Sequence, residues 1–254
     1  MAPPPNLPAA FLQHAAADPE EPWLFRAEGW DWVWHPWREL AGWLTGWTET
    51  LSAVPPGTRA AFLYDARPEA VILDLAIQAA GLAPAPNGGR EEGVWIERRG
   101  LEIEPSPSPP FPPPSGWTGT WIAAAGERLR GEIGEPRTRE IVVLGGPLED
   151  PVERMMMAWA TLTGAAVVLE PDPALRTATA AWVRPTVFHG TPGEIAELRA
   201  RLGKSRKGRL PFRRLRTLLV VGVLPEGEEA FWRERGVAVK GSESFAAERQ
   251  HRGI

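Results

Sequence analysis

The chain has 254 residues, of which 43% are hydrophobic, and its formal net charge is -4 at pH 7. This composition excludes global disorder, and the small acidic charge excludes a general electrostatic attraction to nucleic acid or anionic membranes. The chain contains no cysteine, which excludes disulfides, catalytic thiolates and cysteine-ligated zinc.

No segment of the sequence predicts export or membrane insertion. Residues 1–8 lack the basic and apolar parts of a signal peptide, and no stretch contains 18 consecutive apolar residues. We therefore expect a cytoplasmic protein without a membrane span. Arginine outnumbers lysine and asparagine is scarce, a balance typical of a thermophile or of a GC-rich genome.

The first hundred residues predict a β-hairpin followed by a β-α-β unit. Apolar residues alternate around a Gly-containing turn in the first part, and they recur at helical spacing after each proline. The predicted elements are strands over 23–26 and 31–34, a helix with Pro36 as its N1 residue, a strand over 59–64, a helix over 68–80 and an extended segment over 82–86.

A proline-rich segment, residues 105–114, separates this part from the rest. Such a segment can form neither a helix nor a central strand, so we expect a stiff linker. Beyond it the predicted strands are 140–145, 165–170, 185–189, 215–222 and 237–240, and the predicted helices are 151–163, 173–182, 192–202 and 225–235.

This alternation predicts an α/β fold with mainly parallel sheets in two stacked subdomains. The first subdomain spans residues 1–104, the linker 105–114, and the second subdomain 115–254. Two other features have simple structural interpretations. The spacing of the thirteen tryptophans favours core packing over an aromatic ligand platform, and the basic run within 204–216 favours a solvated loop over an RNA or coenzyme A site.

Several short sequences resemble AMP-dependent acyl-CoA synthetases, the long-chain fatty acid–CoA ligase family of the adenylate-forming superfamily. Residues 57–62 and 81–87 are similar to the family's GDRVAI and GAVAVPLN segments. Residues 164–169, 183–192 and 215–222 resemble three later strand segments in the same order, so the resemblance covers nearly the whole chain. It implies the fold of the N-terminal domain of these enzymes.

The resemblance also implies a chemistry. Enzymes of this family are AMP-forming acid–thiol ligases: they activate a carboxylic acid with ATP and Mg²⁺, and they pass the acyl group from AMP to coenzyme A. Their phosphate loop reads SGTTGxPK, and residues 115–122 fit that register. The matching residues are Ser115, Gly116, Thr118 and Gly119, whereas Trp117, Trp121 and Ile122 replace the threonine, the proline and the lysine. An ordinary turn after the linker is the favoured alternative.

The adenine and metal motif of the family corresponds to Gly241, Ser242 and Glu243. Glu243 aligns with the Mg²⁺ ligand only if one residue is deleted, and a solvated surface carboxylate is the alternative. His189 and Gly190 end a predicted strand, where they could line an acyl pocket. A structural histidine is the alternative there, since the family's usual acyl-pocket histidine is replaced by glycine and proline over 145–149.

The sequence ends before the positions of the family's ribose-binding aspartate, hinge and mobile C-terminal domain with its catalytic lysine. We therefore expect an impaired ligase that binds a fatty acyl group or another carboxylic acid, ATP or AMP, and coenzyme A, and leave open whether it is an enzyme. One alternative is a non-catalytic assembly protein with the same fold. Another is one subunit of a split ligase, and either a homodimer or a partner subunit would fit.

Overall fold

The computed structural model describes residues 6–28, 31–86, 93–99, 101–107, 119–134, 139–146, 150–203 and 214–241. The helices are α1 (Leu7–Ala17), α2 (Trp37–Leu51), α3 (Pro68–Ala79), α4 (Gly119–Ile133), α5 (Pro151–Thr163), α6 (Arg176–Val183), α7 (Pro192–Gly203) and α8 (Glu226–Arg233). The strands are β1 (Pro22–Glu28), β2 (Asp31–Pro36), β3 (Arg59–Phe62), β4 (Ala83–Pro86), β5 (Val94–Arg99), β6 (Glu102–Pro107), β7 (Ile141–Leu144), β8 (Ala166–Leu169), β9 (Val187–Gly190), β10 (Thr217–Val220) and β11 (Ala238–Gly241).

These strands form two sheets. The larger sheet has the order β11-β10-β9-β7-β8-β1-β2, and the smaller has the order β4-β3-β5-β6. All pairings are parallel except the hairpins β1–β2 and β5–β6. The predicted α/β fold with mainly parallel sheets is therefore confirmed.

The N-terminal hairpin belongs to the larger sheet. Leu24 of β1 lies beside Val167 of β8, so the first strand of the chain extends a sheet whose other strands come from the second half. Strand β6 includes residues 105–107, the start of the predicted linker, at the edge of the smaller sheet, where proline is tolerated. Residues 108–114 of the predicted linker lie outside the described residues, and the division into subdomains stays a prediction.

Most predicted elements agree with the structure to within a few residues, and helix 151–163 agrees at both ends. Pro36 was expected at N1 but is the N-cap of α2, because its ψ of 158° continues strand β2. The helix predicted over 173–182 begins three residues later, after a turn in which Asp172 accepts a hydrogen bond from the backbone N–H of Ala174. The sequence reasoning missed helix α4 and the β5–β6 hairpin.

Two apolar clusters cover opposite faces of the larger sheet. Val142 and Val167 point into the larger cluster, which reaches the smaller sheet through helices α3, α4 and α5. Their neighbours Val143 and Val168 point into the other cluster, which α7 and α8 help to cover. Core packing is confirmed for five tryptophans, Trp23, Trp37, Trp47, Trp159 and Trp232, which are buried. None of the helices in the described part of the chain is long and apolar enough to cross a bilayer.

Candidate functional site

The carboxyl ends of the parallel strands bring several predicted site residues to one edge of the larger sheet. Gly190, the last residue of β9, lies beside Val220 of β10, and Val220 lies beside Gly241, the last residue of β11. Two strand spacings separate Gly190 from Gly241, which is about 10 Å. Ligands of open α/β sheets bind outside the carboxyl ends of the strands, so we call this edge the carboxyl edge.

Helix α4 also begins near the carboxyl edge. Its last residue, Ile133, accepts a hydrogen bond from Arg216, which immediately precedes β10 and so marks the opposite, amino edge. In the middle of α4, Gly126 packs against Ala158 of α5, and α5 itself starts at the carboxyl edge after β7. The two helices therefore run in the same direction, and Gly119 starts α4 on the side where Gly190 and Gly241 lie.

The remaining predicted nucleotide and metal residues, Ser115, Gly116, Thr118, Ser242 and Glu243, lie outside the described residues, so their roles stay predictions. A Cβ atom built on Gly241 would have no described atom within 4 Å. Gly190 differs from it. A Cβ atom there would lie 3.0 Å from the Phe188 ring and 3.2 Å from a carboxylate oxygen of Glu194.

His189 is buried within a charged cluster at the carboxyl edge. Its Nε2 donates to Oε1 of Glu153 across 2.9 Å. Arg176 donates from Nη2 to the backbone oxygen of His189 at 3.0 Å, and the same nitrogen lies 3.3 Å from Glu153 Oε1. Arg176 Nη1 lies 3.2 Å from Oε1 of Glu194. The ring of His189 therefore contacts Glu153 of α5, and the backbone oxygen of His189 contacts Arg176 of α6.

The charge of Glu153 is stabilised in spite of its burial. Burial alone raises the pKa of this carboxyl group, but His189 and Arg176 more than offset that effect, and the pKa falls to about 2. A backbone hydrogen bond from Gly146 acts in the same direction. No local pattern of residues predicts this cluster, because Glu153 lies on a helix and His189 on a strand that follows much later.

The glycines after β7 are explained by close packing around this cluster. A Cβ atom on Gly145 would lie 2.2 Å from the backbone oxygen of Glu170, and one on Gly146 would lie 2.6 Å from Cγ of Glu153. Any larger side chain would have to displace backbone or a buried carboxylate. The histidine that the resemblance leads one to expect in this region therefore has no room at either glycine.

A second buried ion pair connects α3 to α5. Arg154 Nη2 lies 2.5 Å from Oδ1 of Asp74, and Gln78 donates to the other oxygen of Asp74 at 2.8 Å. Burial nevertheless raises the pKa of Asp74, since it outweighs the effects of Arg154 and Gln78. Burial and the nearby Glu153 carboxylate also raise the pKa of Tyr64, which follows β3. Polar groups therefore continue from the carboxyl end of β3 in the smaller sheet to β9 in the larger one.

A separate groove of about 660 Å³ lies between α2 and the β5–β6 hairpin. Trp43, Trp47, Leu101 and Ile103 give it an apolar lining, and glutamates flank it. It shares no residue with the predicted site, and sequence reasoning missed it because β5 and β6 were not predicted. No three His, Asp or Glu side chains come close enough to hold a metal ion in the part of the chain that the structure describes.

The sequence matches no protein-family model and no curated protein. Solved structures match across nearly the whole chain. The inhibitor-bound N-terminal domain of FACL13 from Mycobacterium tuberculosis superposes with a TM-score of 0.69 at 12% identity, over 92% of this chain and 74% of that one.

Two further similar structures are larger proteins. The nonribosomal peptide synthetase FmoA3 has a TM-score of 0.69 at 16% identity, over 94% of this chain and 31% of that one. The o-succinylbenzoate CoA synthetase MenE from Bacillus subtilis has a TM-score of 0.67 at 16% identity, over 92% of this chain and 57% of that one. The chain thus spans about half of MenE and a third of FmoA3, and it has the fold of the N-terminal domain of adenylate-forming enzymes.

Proposed function

We propose that the chain binds an acyl-adenylate or its components, a fatty acyl group or another carboxylic acid together with ATP or AMP, at the carboxyl edge. The observation that carries this proposal is the convergence of Gly190, Gly241 and the first residue of α4 on that edge, where no described atom lies within 4 Å of a Cβ atom built on Gly241. These three positions correspond to the acyl, adenine and phosphate segments of the resemblance. In support, one structure of FmoA3 holds the nucleotide AMPPNP.

We further propose that ligase activity is weak. The resemblance puts the phosphate-binding lysine at position 122, where this chain has isoleucine. The Ile122 side chain is buried among the apolar residues of the larger cluster, so this position presents no cation to a phosphate. Mg²⁺ bound by Glu243 and acyl transfer to coenzyme A belong to the same proposal and rest on the resemblance.

The direct test is calorimetric titration with a non-hydrolysable long-chain acyl-adenylate analogue. Binding with a micromolar or tighter dissociation constant is expected for the unmodified chain. Gly241→Trp should weaken it at least tenfold, because the indole would occupy the carboxyl edge. Gly131→Trp is the matched control: a Cβ atom at Gly131 also has no described atom within 4 Å, but this residue lies near the opposite end of α4.

The outcomes separate clearly. Binding that Gly241→Trp weakens and Gly131→Trp leaves unchanged supports a ligand at the carboxyl edge. Absence of binding, or equal effects of both variants, contradicts it. Shorter acyl groups in the same titration would then define the chain length, and ATP–pyrophosphate exchange close to background would support the weak activity.

A second candidate is a non-catalytic assembly protein. The observation that favours it is the buried cluster of Glu153, Arg176 and His189, which occupies the carboxyl ends of β7 and β9 with protein groups that pair with one another. A filled edge of this kind would leave the fold as a surface for other proteins. Failure of the titration above, with the folded state intact, would favour this candidate.

A further inference from the structure

Strand β2 lies at the end of the larger sheet, and no described strand pairs with its outer side. Edge strands in soluble proteins usually carry charged residues or prolines that discourage pairing with another chain. Here only Asp31 and Pro36, at the two ends, do so. Between them stand Trp32, Val33, Trp34 and His35, and two of these are strong β-formers with aromatic side chains. The edge is therefore suited to pairing.

The register of the hairpin shows which backbone groups face outward. Glu28 lies opposite Asp31, with only two residues between them, and a pair this close to the turn is a hydrogen-bonded one. Hydrogen-bonded and non-hydrogen-bonded pairs alternate along antiparallel strands. The N–H and C=O groups of Val33 therefore point toward β1, whereas those of Trp32 and Trp34 point away from it.

Aromatic surface accompanies this edge. Trp32 stacks on Trp182 of α6, with the ring centroids 5.1 Å apart and the planes 7° from parallel. Trp182 is 68% exposed and Trp34 is 52% exposed. Exposed aromatic side chains of this size are typical of protein interfaces rather than of solvated surface.

We propose that β2 pairs antiparallel with β2 of a second copy of this chain, with Val33 on the two-fold axis. In this register Trp32 of each copy lies opposite Trp34 of the other copy. The outward N–H and C=O groups of these four residues form the hydrogen bonds between the two strands. A two-fold axis makes the contact isologous and closed, so it produces a dimer and not a filament.

The charges of β2 complement themselves in the same register. Asp31 of one copy lies opposite His35 of the other, on the same face of the sheet as Val33. The Nδ1 of His35 already donates to Oε1 of Glu39 across 3.2 Å, which orients the ring. Nε2 can then donate to the carboxylate of Asp31 when the ring carries both protons, because the neutral ring has only one N–H group. A parallel pairing of the two strands would instead put like residues together, so the sequence of β2 selects the antiparallel arrangement.

Single-cysteine cross-linking tests this register, because the chain has no cysteine of its own. In Val33→Cys the two sulfurs would meet across the axis, since a non-hydrogen-bonded pair has a Cα separation of about 4.5 Å, within the range of a disulfide. In Asp31→Cys, the control on the same strand, the two cysteines would lie four residues out of register, about 13 Å apart. We expect an oxidised covalent dimer of Val33→Cys and no more than trace dimer of Asp31→Cys.

Sedimentation velocity tests the non-covalent dimer. We expect the unmodified chain to shift to twice the monomer mass as its concentration rises from about 1 to 100 μM, a range set by the small area of a strand-edge contact. Trp34→Lys should abolish this shift. Leu101→Lys is the matched control, since Leu101 has the same exposed fraction, 52%, at the groove between α2 and β6.

If the unmodified chain sediments as a monomer at every concentration, the proposal is overturned. The same result is expected if the edge of β2 binds a different protein. Equal cross-linking of both cysteine variants, or cross-linking of Asp31→Cys alone, would overturn the register. Loss of the dimer in Leu101→Lys as well as in Trp34→Lys would overturn the assignment to β2. Circular dichroism of each variant verifies that the fold is intact.

Discussion

The buried carboxylate of Glu153 gives the sharpest quantitative prediction. Its pKa falls from an ordinary value of 4.5 to about 2 in the folded chain, although burial opposes this change. The unfolded chain therefore binds more protons between these two values, and the contribution of Glu153 to stability is complete above pH 4.5 and is lost as the pH falls toward 2. A difference of about 2.5 pKa units corresponds to about 3 kcal/mol.

The perturbation is Glu153→Gln, which keeps the shape of the side chain but removes the titrating charge. We expect this variant to be about 3 kcal/mol less stable than the unmodified chain at pH 7, and about 2 kcal/mol of that difference to disappear by pH 3. Urea unfolding followed by tryptophan fluorescence at a series of pH values measures both quantities, with Trp159 of the same helix among the buried reporters.

An exposed carboxylate provides the control. Glu197 pairs with Arg201 at 2.7 Å on the surface of α7, and the hydrogen bond from Arg201 lowers its pKa. Because water screens this pair, Glu197→Gln should change stability far less, with little dependence on pH. A stability difference for Glu153→Gln that stays constant from pH 7 to pH 3 would refute the reasoning, since it would assign the effect to packing and not to the carboxylate charge.

Three further predictions concern the helices, each measured by urea unfolding at pH 7 unless stated. Gly126→Ala should destabilise the chain by about 1–3 kcal/mol, because the new methyl group would lie 2.9 Å from Ala158 Cβ. Gly131→Ala in the same helix places its methyl group with no described atom within 4 Å, so it should stabilise the chain by about 0.5–1 kcal/mol. Effects of the same sign for both variants would contradict the packing of α4 on α5. Arg154→Met should destabilise by about 3–5 kcal/mol by leaving the buried Asp74 carboxylate unpaired. Burial already raises the pKa of Asp74, so protonation removes the unpaired charge, and the loss of stability in Arg154→Met should shrink as the pH falls from 8 to 5. A second substitution, Asp74→Asn, should restore most of the lost stability. If the double variant is no more stable than Arg154→Met, this account is contradicted. Asp150→Ala removes the N-cap of α5, whose carboxylate accepts from the backbone N–H of Val152 at 2.7 Å, and should cost about 1 kcal/mol; no change would indicate that water replaces the cap.

The overall fold was predictable because hydrophobic periodicity is strong where strands and helices alternate. Helix α5 illustrates this, since Pro151 opens it and Gly164 closes it with a left-handed φ of 70°. The same reasoning failed for α4. Its buried residues Ile122, Leu129 and Ile133 do follow helical spacing, but its start coincides with a segment that resembles a phosphate loop and follows a run of prolines.

The candidate site was only partly predictable. The carboxyl edge follows from parallel topology, so Gly190 and Gly241 could be assigned to one edge without knowledge of any contact. The partners of His189 could not be predicted, because Glu153 and Arg176 come from helices distant in sequence. Which charged residues meet in the core depends on how those helices pack. A buried ion pair leaves no periodic signal in a single sequence.

The place of the N-terminal hairpin in the larger sheet also has a consequence for synthesis of the chain. Strand β1 is synthesised long before its partner β8, which begins at Ala166. Until then the hairpin has two unpaired edges and exposes Trp23 and Leu24, which are fully buried in the folded chain. Such edges favour association with other nascent chains. Fragments that end before β8 should therefore aggregate, and folding of the larger sheet must wait until β8 has been synthesised.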